Sequence, residues 1–103
     1  MTNIRFEWDE NKNRANLRKH GVSFEVAARA FADPFALMVQ DRIERGELRW
    51  QTLGMVDGYV LLLVAHTLRD EDEDGRPVEI IRLISARRAT RTERLRYEEN
   101  ENS

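Results

Sequence analysis

From Tyr59 to Leu68 the chain reads Tyr-Val-Leu-Leu-Leu-Val-Ala-His-Thr-Leu, apolar at both odd and even positions. A strand with one wet face alternates, so this one predicts a central strand covered on both sides. Its longest uninterrupted apolar stretch, Tyr59 to Ala65, falls far below the ~20 residues of a membrane span. A sheet has to be built around it.

The flanking segments supply one. Ile4 to Trp8 alternates as a short half-buried strand does. Asp9 predicts a helix cap over about 10–20, with Lys19-His20 in the last turn before Gly21. Ser23 predicts the cap of a second helix, with Val26, Ala27, Ala30 and Phe31 on one face and Asp33-Pro34 as its stop. From Leu37 the period becomes two; 42–47 predicts a polar hairpin connection and Leu48 to Val56 a third strand. Asp57-Gly58 is a two-residue turn signal leading into the apolar strand. Val78 to Ala86 is a fifth strand, reached through an acidic loop. Thr90 or Thr92 can cap a last helix through about Glu99, with Glu93 completing a capping box if Thr90 is the cap. The order β-α-α-β-β-β-β-α predicts an α+β fold, an antiparallel β-sheet meander with its helices packed on one face. No Pro/Gly/Ser-rich linker interrupts it, so residues 1–103 are expected to form one domain with an acidic tail from about 98.

Charge is distributed unevenly. The formal net charge is −2, from 17 Lys and Arg against 19 Asp and Glu. Asp70-Glu71-Asp72-Glu73-Asp74 holds five carboxylates, and Glu98, Glu99 and Glu101 hold three more. Without those eight the body of the chain stands at about +6. Arg82, Arg87, Arg88, Arg91, Arg94 and Arg96 cluster near the C-terminus, where only Glu93 opposes them before the acidic tail. Guanidinium groups where a strand runs into a helix suit phosphate, since each offers its donors in a fixed fork.

Candidate chemistry starts from the two histidines, whose ordinary pKa lies near neutrality. His20 has the plain alternative of capping a helix C-terminus, and His66 that of a packed sheet-face residue. Arg82 and Arg88 share a parity on the fifth strand, and the hairpin predicts residues 64–66 opposite about 80–82. That brings the His66 imidazole near a guanidinium, a pair suited to a phosphodiester. Lys12, Arg14, Arg18 and Lys19 make the first helix basic, a solvated face unless the fold sets it beside Arg87 and Arg88. There are no cysteines, so disulfides and thiol chemistry are excluded. The histidine and carboxylate spacing matches no metal site, and no cofactor motif is present. The opening residues lack a signal-peptide pattern, which makes a cytoplasmic protein without membrane contact the expectation.

Two segments together carry a resemblance. Phe6-Glu7-Trp8-Asp9-Glu10-Asn11-Lys12-Asn13, continued through Asn16-Leu17-Arg18-Lys19-His20-Gly21-Val22-Ser23-Phe24-Glu25 to Ala30-Phe31-Ala32-Asp33-Pro34, resembles the N-terminal signature of the BrnT toxins. Ile84-Ser85-Ala86-Arg87-Arg88-Ala89-Thr90 through Arg94 and Tyr97-Glu98 resembles their C-terminal signature. The resemblance implies a RelE-like fold and a cytoplasmic ribonuclease of a type II toxin–antitoxin system that inhibits translation. It implies a BrnA-like, DNA-binding antitoxin that neutralises the toxin directly and represses the shared operon, so operator DNA is met only through that partner. Lys19, His20, Arg87 and Arg88 carry over as motif positions. With the residues read above, the expected site is His20, His66, Arg87 and Arg88 for catalysis, and Lys12, Arg18, Lys19, Arg82 and Arg91 for RNA. The expected chemistry is metal-independent endoribonuclease cleavage; the alternative is a non-catalytic module that binds antitoxin or RNA. The acidic run 70–75 is longer than the short turn the resemblance implies, and near an RNA surface it would repel phosphate.

Overall fold

A computed structural model of the chain describes residues 3–102; readings that touch Met1, Thr2 and Ser103 lie outside them. The elements are β1 (Asn3–Glu7), α1 (Glu10–His20), α2 (Phe24–Ala28) continued by a 3₁₀ turn (Arg29–Ala32), β2 (Leu37–Glu44), β3 (Glu47–Val56), β4 (Val60–Glu73), β5 (Arg76–Arg88) and α3 (Arg91–Glu101). The strands form one sheet in the order β1-β5-β4-β3-β2. From β2 to β5 it is the expected antiparallel meander, but β1 pairs parallel with β5, making the sheet mixed. The partner of a five-residue strand is chosen by a segment some 75 positions away, which local alternation cannot encode.

β1 and β2 lie at opposite edges, so the chain between them crosses the sheet. That crossing carries α1, α2 and the 3₁₀ turn over one face, where Val22, Phe24, Ala27 and Ala30 pack on Leu62, Val64, Ile81, Leu83 and Ala86. Gly54 sits beneath it, where an added Cβ would overlap the Ala30 carbonyl. The last helix takes the other face. Tyr97 packs with Leu53, Leu61 and Leu63, the alternate residues of β3 and β4. Helices on both faces replace the expected one-sided packing, and they explain why β4 is apolar at both parities.

The acidic run is not a loop. β4 extends to Glu73 and β5 begins at Arg76, joined only by Asp74-Gly75, with φ of 54° and 81°. Arg45-Gly46 turns the first hairpin in the same way, with φ of 54° and 78°, inside the segment expected to be a longer connection. Both pairs have the left-handed backbone that a type I′ turn needs, with glycine second. Ion pairs between β4 and β1, of Arg69 with Glu7 and of Glu73 with Arg5, and one along β4 from Arg69 to Glu71 cover the α3-side face of this long hairpin over the buried Ile80 and Val78.

Candidate nucleic-acid interface

Helix α1 is positioned by asparagines. Asp9 caps its start by accepting from Asn11 N–H at 2.8 Å, and Gly21 ends it in the left-handed conformation, φ 71°. Its buried residues are Asn13 and Asn16, while Leu17 is 49% exposed. Asn13 Oδ1 accepts from the Phe24 N–H at 2.8 Å, fastening α2 to α1. Asn16 Nδ2 donates to the Ala86 carbonyl at 2.8 Å and to the Val22 carbonyl at 2.9 Å, and its Oδ1 accepts from Ala86 N–H at 3.1 Å. β1 ends at Glu7, opposite Arg82, so beyond that point the outer edge of β5 has no strand beside it. The Asn16 amide takes the place of one.

This fixes the last turn of α1 against the end of β5. Lys12, Lys19 and His20 share a hollow of about 210 Å³ with Ile84 and Ser85. On the other side of the turn, Leu17, Gly21, Val22 and Ser23 line a hollow of about 230 Å³ with Arg88. Arg88 is exposed and makes no ion pair or side-chain hydrogen bond among the described residues. It also lines a third hollow, about 350 Å³, with Tyr59, Ala89 and Arg94. Arg18 lies exposed on α1, and Arg91 lies exposed in the first turn of α3. Lys12, Lys19 and His20 are therefore brought together on one side of α1, and Arg88 lies on the other side of its C-terminal turn.

Other expected residues are placed elsewhere. A bulge between Ala65 and His66 sets His66 opposite Leu83, with Ile84 as the extra residue. The bulge reverses the parity of β5, so Arg82 faces the α3 side opposite Thr67 and ion-pairs with Glu47, while His66 faces α2. The expected His66–Arg82 pair is thereby lost. His66 is 0% exposed, with Nε2 at 2.7 Å from Thr52 Oγ1 and its ring edge-on to Phe31 at 4.9 Å. Burial pushes its pKa down to about 4. Below the sheet surface, it reaches no phosphate.

Arg87 and Arg88 point to opposite faces, as consecutive strand residues must. Arg87 donates to both Glu93 oxygens, at 2.8 and 3.0 Å. Glu93 also closes a capping box with Thr90, so Arg87 anchors the start of α3. Their hydrogen bonds hold the Glu93 carboxyl below the usual carboxylate range and raise Arg87. At the far end of α3 the Tyr97 hydroxyl donates to Asp33 Oδ2 at 2.6 Å, and the same oxygen accepts from Met55 N–H at 2.8 Å. Burial pushes the Asp33 carboxyl up, but the bonds from Tyr97, Met55 and Phe35 outweigh it and hold it below its ordinary value.

Residues 8–93 match the family described as the ribonuclease toxin, BrnT, of type II toxin-antitoxin systems. The chain belongs to the BrnT family. Its structure is similar to the crystal structure of the Brucella abortus ribonuclease toxin BrnT, with TM-score 0.60 and 21% identity over 87% of this chain and 100% of that one. No curated protein matches the sequence. As a BrnT-family ribonuclease toxin, the chain has an antitoxin as its partner. No helix among the described residues is long and apolar enough to cross a membrane.

Proposed function

We propose that this chain is an endoribonuclease that cleaves single-stranded RNA without a metal ion, at the rim where α1 ends, β5 ends and α3 begins. The observation that carries this reading is the contrast between three arginines of one segment: Arg82 is held by Glu47 and Arg87 by Glu93, whereas Arg88 is unpaired beside Leu17 and Gly21, where α1 ends. An unpaired guanidinium at a rim is available to a phosphate.

In this reading the RNA 2′-hydroxyl attacks the adjacent phosphorus, the P–O5′ bond breaks, and a 2′,3′-cyclic phosphate forms as the 5′-oxygen leaves with a proton from solvent. His20 takes the proton of the attacking hydroxyl, and Arg88 stabilises the charge that builds on the phosphorus oxygens. Lys12, Arg18, Lys19 and Arg91 neutralise flanking phosphates. Arg82, Arg87 and His66 hold the fold. The partner would be a BrnA-like antitoxin that covers the rim and carries the DNA-binding domain for operator repression. The RelE-like fold, translation inhibition and cytoplasmic location implied by the resemblance belong to the same reading.

Labelled single-stranded RNA incubated with purified protein, with and without EDTA, tests it. Cleavage undiminished by EDTA, ending in cyclic phosphate, is the expected result. RNA bound but never cut would instead support the non-catalytic module.

A further inference from the structure

We propose that Tyr59, Arg88 and Arg94 form a nucleotide-binding subsite in which one unstacked RNA base lies on the Tyr59 ring and its phosphate lies between the two guanidiniums. The proposal rests on the ribonuclease reading above and adds a residue at which that reading places nothing. Tyr59 is 76% exposed, an aromatic ring held out in water at the end of a hairpin. It shares the hollow of about 350 Å³ with Arg88, Arg94, Ala89, Val60 and Leu61. That volume is at the lower end of the range for small-ligand sites, ~300–1,000 Å³.

The ring is presented on a fixed support. The Tyr59 N–H donates to the Val56 carbonyl at 3.3 Å, closing the turn. Asp57, one residue past the strand end, ion-pairs with Arg29 of the 3₁₀ turn and ties the hairpin tip to the helical face. On the opposite wall the Ala89 N–H donates to the Leu61 carbonyl at 3.0 Å, so the end of β5 cannot swing away from β4. A preorganised ring loses less on binding than a mobile one.

The lining chooses the ligand class. Arg88 and Arg94 have no ion-pair partner among the described residues, and the hollow contains no carboxylate. Two unpaired cations select an anion; a phenol ring with an open face selects a flat π-system. A single-stranded nucleotide carries both, because every base offers a π-face and every linkage a phosphate. A base paired in a duplex has no face to offer. The hollow lies against Arg88, so the stacked nucleotide would adjoin the phosphate that Arg88 holds.

The test uses the full chain and a short fluorescent single-stranded 2′-O-methyl RNA, which lacks the attacking hydroxyl and so reports binding alone. Tyr59→Ala should weaken binding about 5- to 150-fold, the range expected from one base–aromatic stack. Tyr59→Phe should keep wild-type affinity and Tyr59→Leu should not, because the ring rather than its bulk is needed. A probe with abasic sites throughout should bind wild type and Tyr59→Ala alike. Wild-type affinity in Tyr59→Ala, with affinity lost in Arg88→Ala, would overturn the subsite and leave the ribonuclease reading standing. Wild-type affinity in both variants would overturn the subsite alone, whereas no binding by the wild type would overturn both. If Tyr59→Ala weakens antitoxin binding and not RNA binding, the hollow is a protein contact and the proposal is wrong.

Discussion

Asn16 is bonded to both backbone groups of Ala86, donating to its carbonyl at 2.8 Å and accepting from its N–H at 3.1 Å. A side chain on α1 thus completes the edge of β5 where β1 has run out. Since α1 carries Lys19 and His20 and β5 carries Arg88, this amide sets the spacing of the candidate site. Asn16→Ala leaves two buried carbonyls and one N–H unpaired, each costing about 1–3 kcal/mol. A loss of roughly 3 kcal/mol or more should lower Tm by well over ~10 °C in a domain of this size. Asn16→Asp should be no better, since it sets a carboxylate against the Ala86 and Val22 carbonyls. Thermal melts of both variants check this; an unchanged Tm would show that the amide is not holding the two elements together.

Tyr97 and Asp33 join the opposite edge. Asp33 finishes β3 by accepting from the Met55 N–H, and Tyr97 reaches it from the α3 side. Tyr97→Phe keeps the ring that packs on Leu53, Leu61 and Leu63 but removes a bond to a charged acceptor, about 1.5–3 kcal/mol. Denaturant titration should show that loss, with the slope of the transition unchanged. Equal midpoints for the two proteins would contradict the role given to the clasp.

His66 makes stability depend on pH. Its folded pKa is pushed down by burial to about 4 from an ordinary 6.5. Between those values the unfolded chain binds a proton that the folded chain refuses, so stability falls as pH drops from 6.5 towards 4 and this group contributes no further loss below that. The ceiling is about 3 kcal/mol. His66→Gln should flatten that part of the stability curve measured by denaturation across the window. Identical slopes in the two proteins would refute the assignment.

The acidic hairpin lies far from the candidate site. β5 has 13 residues, so its tip at Asp74 and its end at Arg88 are separated by roughly 40 Å at about 3.3 Å per residue. Several Debye lengths of ~8 Å separate them at physiological salt. Replacing Asp70, Asp72 and Asp74 by Asn should leave RNA affinity at physiological salt unchanged, as filter binding or fluorescence anisotropy would report. Tighter binding would show that the run does repel the substrate.

The fold was legible where the sequence is periodic or carries a turn or cap signal. The apolar strand read as Tyr59–Leu68 appears as the start of β4, Val60–Glu73; the Asp57-Gly58 turn and the Asp9 and Ser23 caps lie where their residue types place them, and of Thr90 and Thr92 it is Thr90 that caps the last helix. Other features were not legible, among them the strand pairing of the acidic run and the packing of helices on both faces. The parallel pairing of β1 depends on a distant partner. The bulge at Ile84 leaves no mark on the alternation, yet it decides which face Arg82 takes. The buried stripe of α1 is Asn13 and Asn16, and a search for apolar periodicity passes over asparagines; only their i, i+3 spacing in an otherwise charged helix hints at burial. Arg87 and Arg88 read alike in sequence, and only the position of Glu93 separates them.

That separation is the centre of the account, and it can be measured directly by comparing Arg88→Ala with Arg87→Ala for RNA cleavage and thermal stability. Arg88→Ala should melt as the wild type does and lose about 10²–10³ in cleavage rate, the cost of one preorganised donor to the developing charge. Arg87→Ala should melt lower, having lost its two bonds to Glu93, and should cleave at nearly the wild-type rate per folded molecule. Wild-type cleavage by Arg88→Ala, or the large rate loss in Arg87→Ala instead, would contradict it.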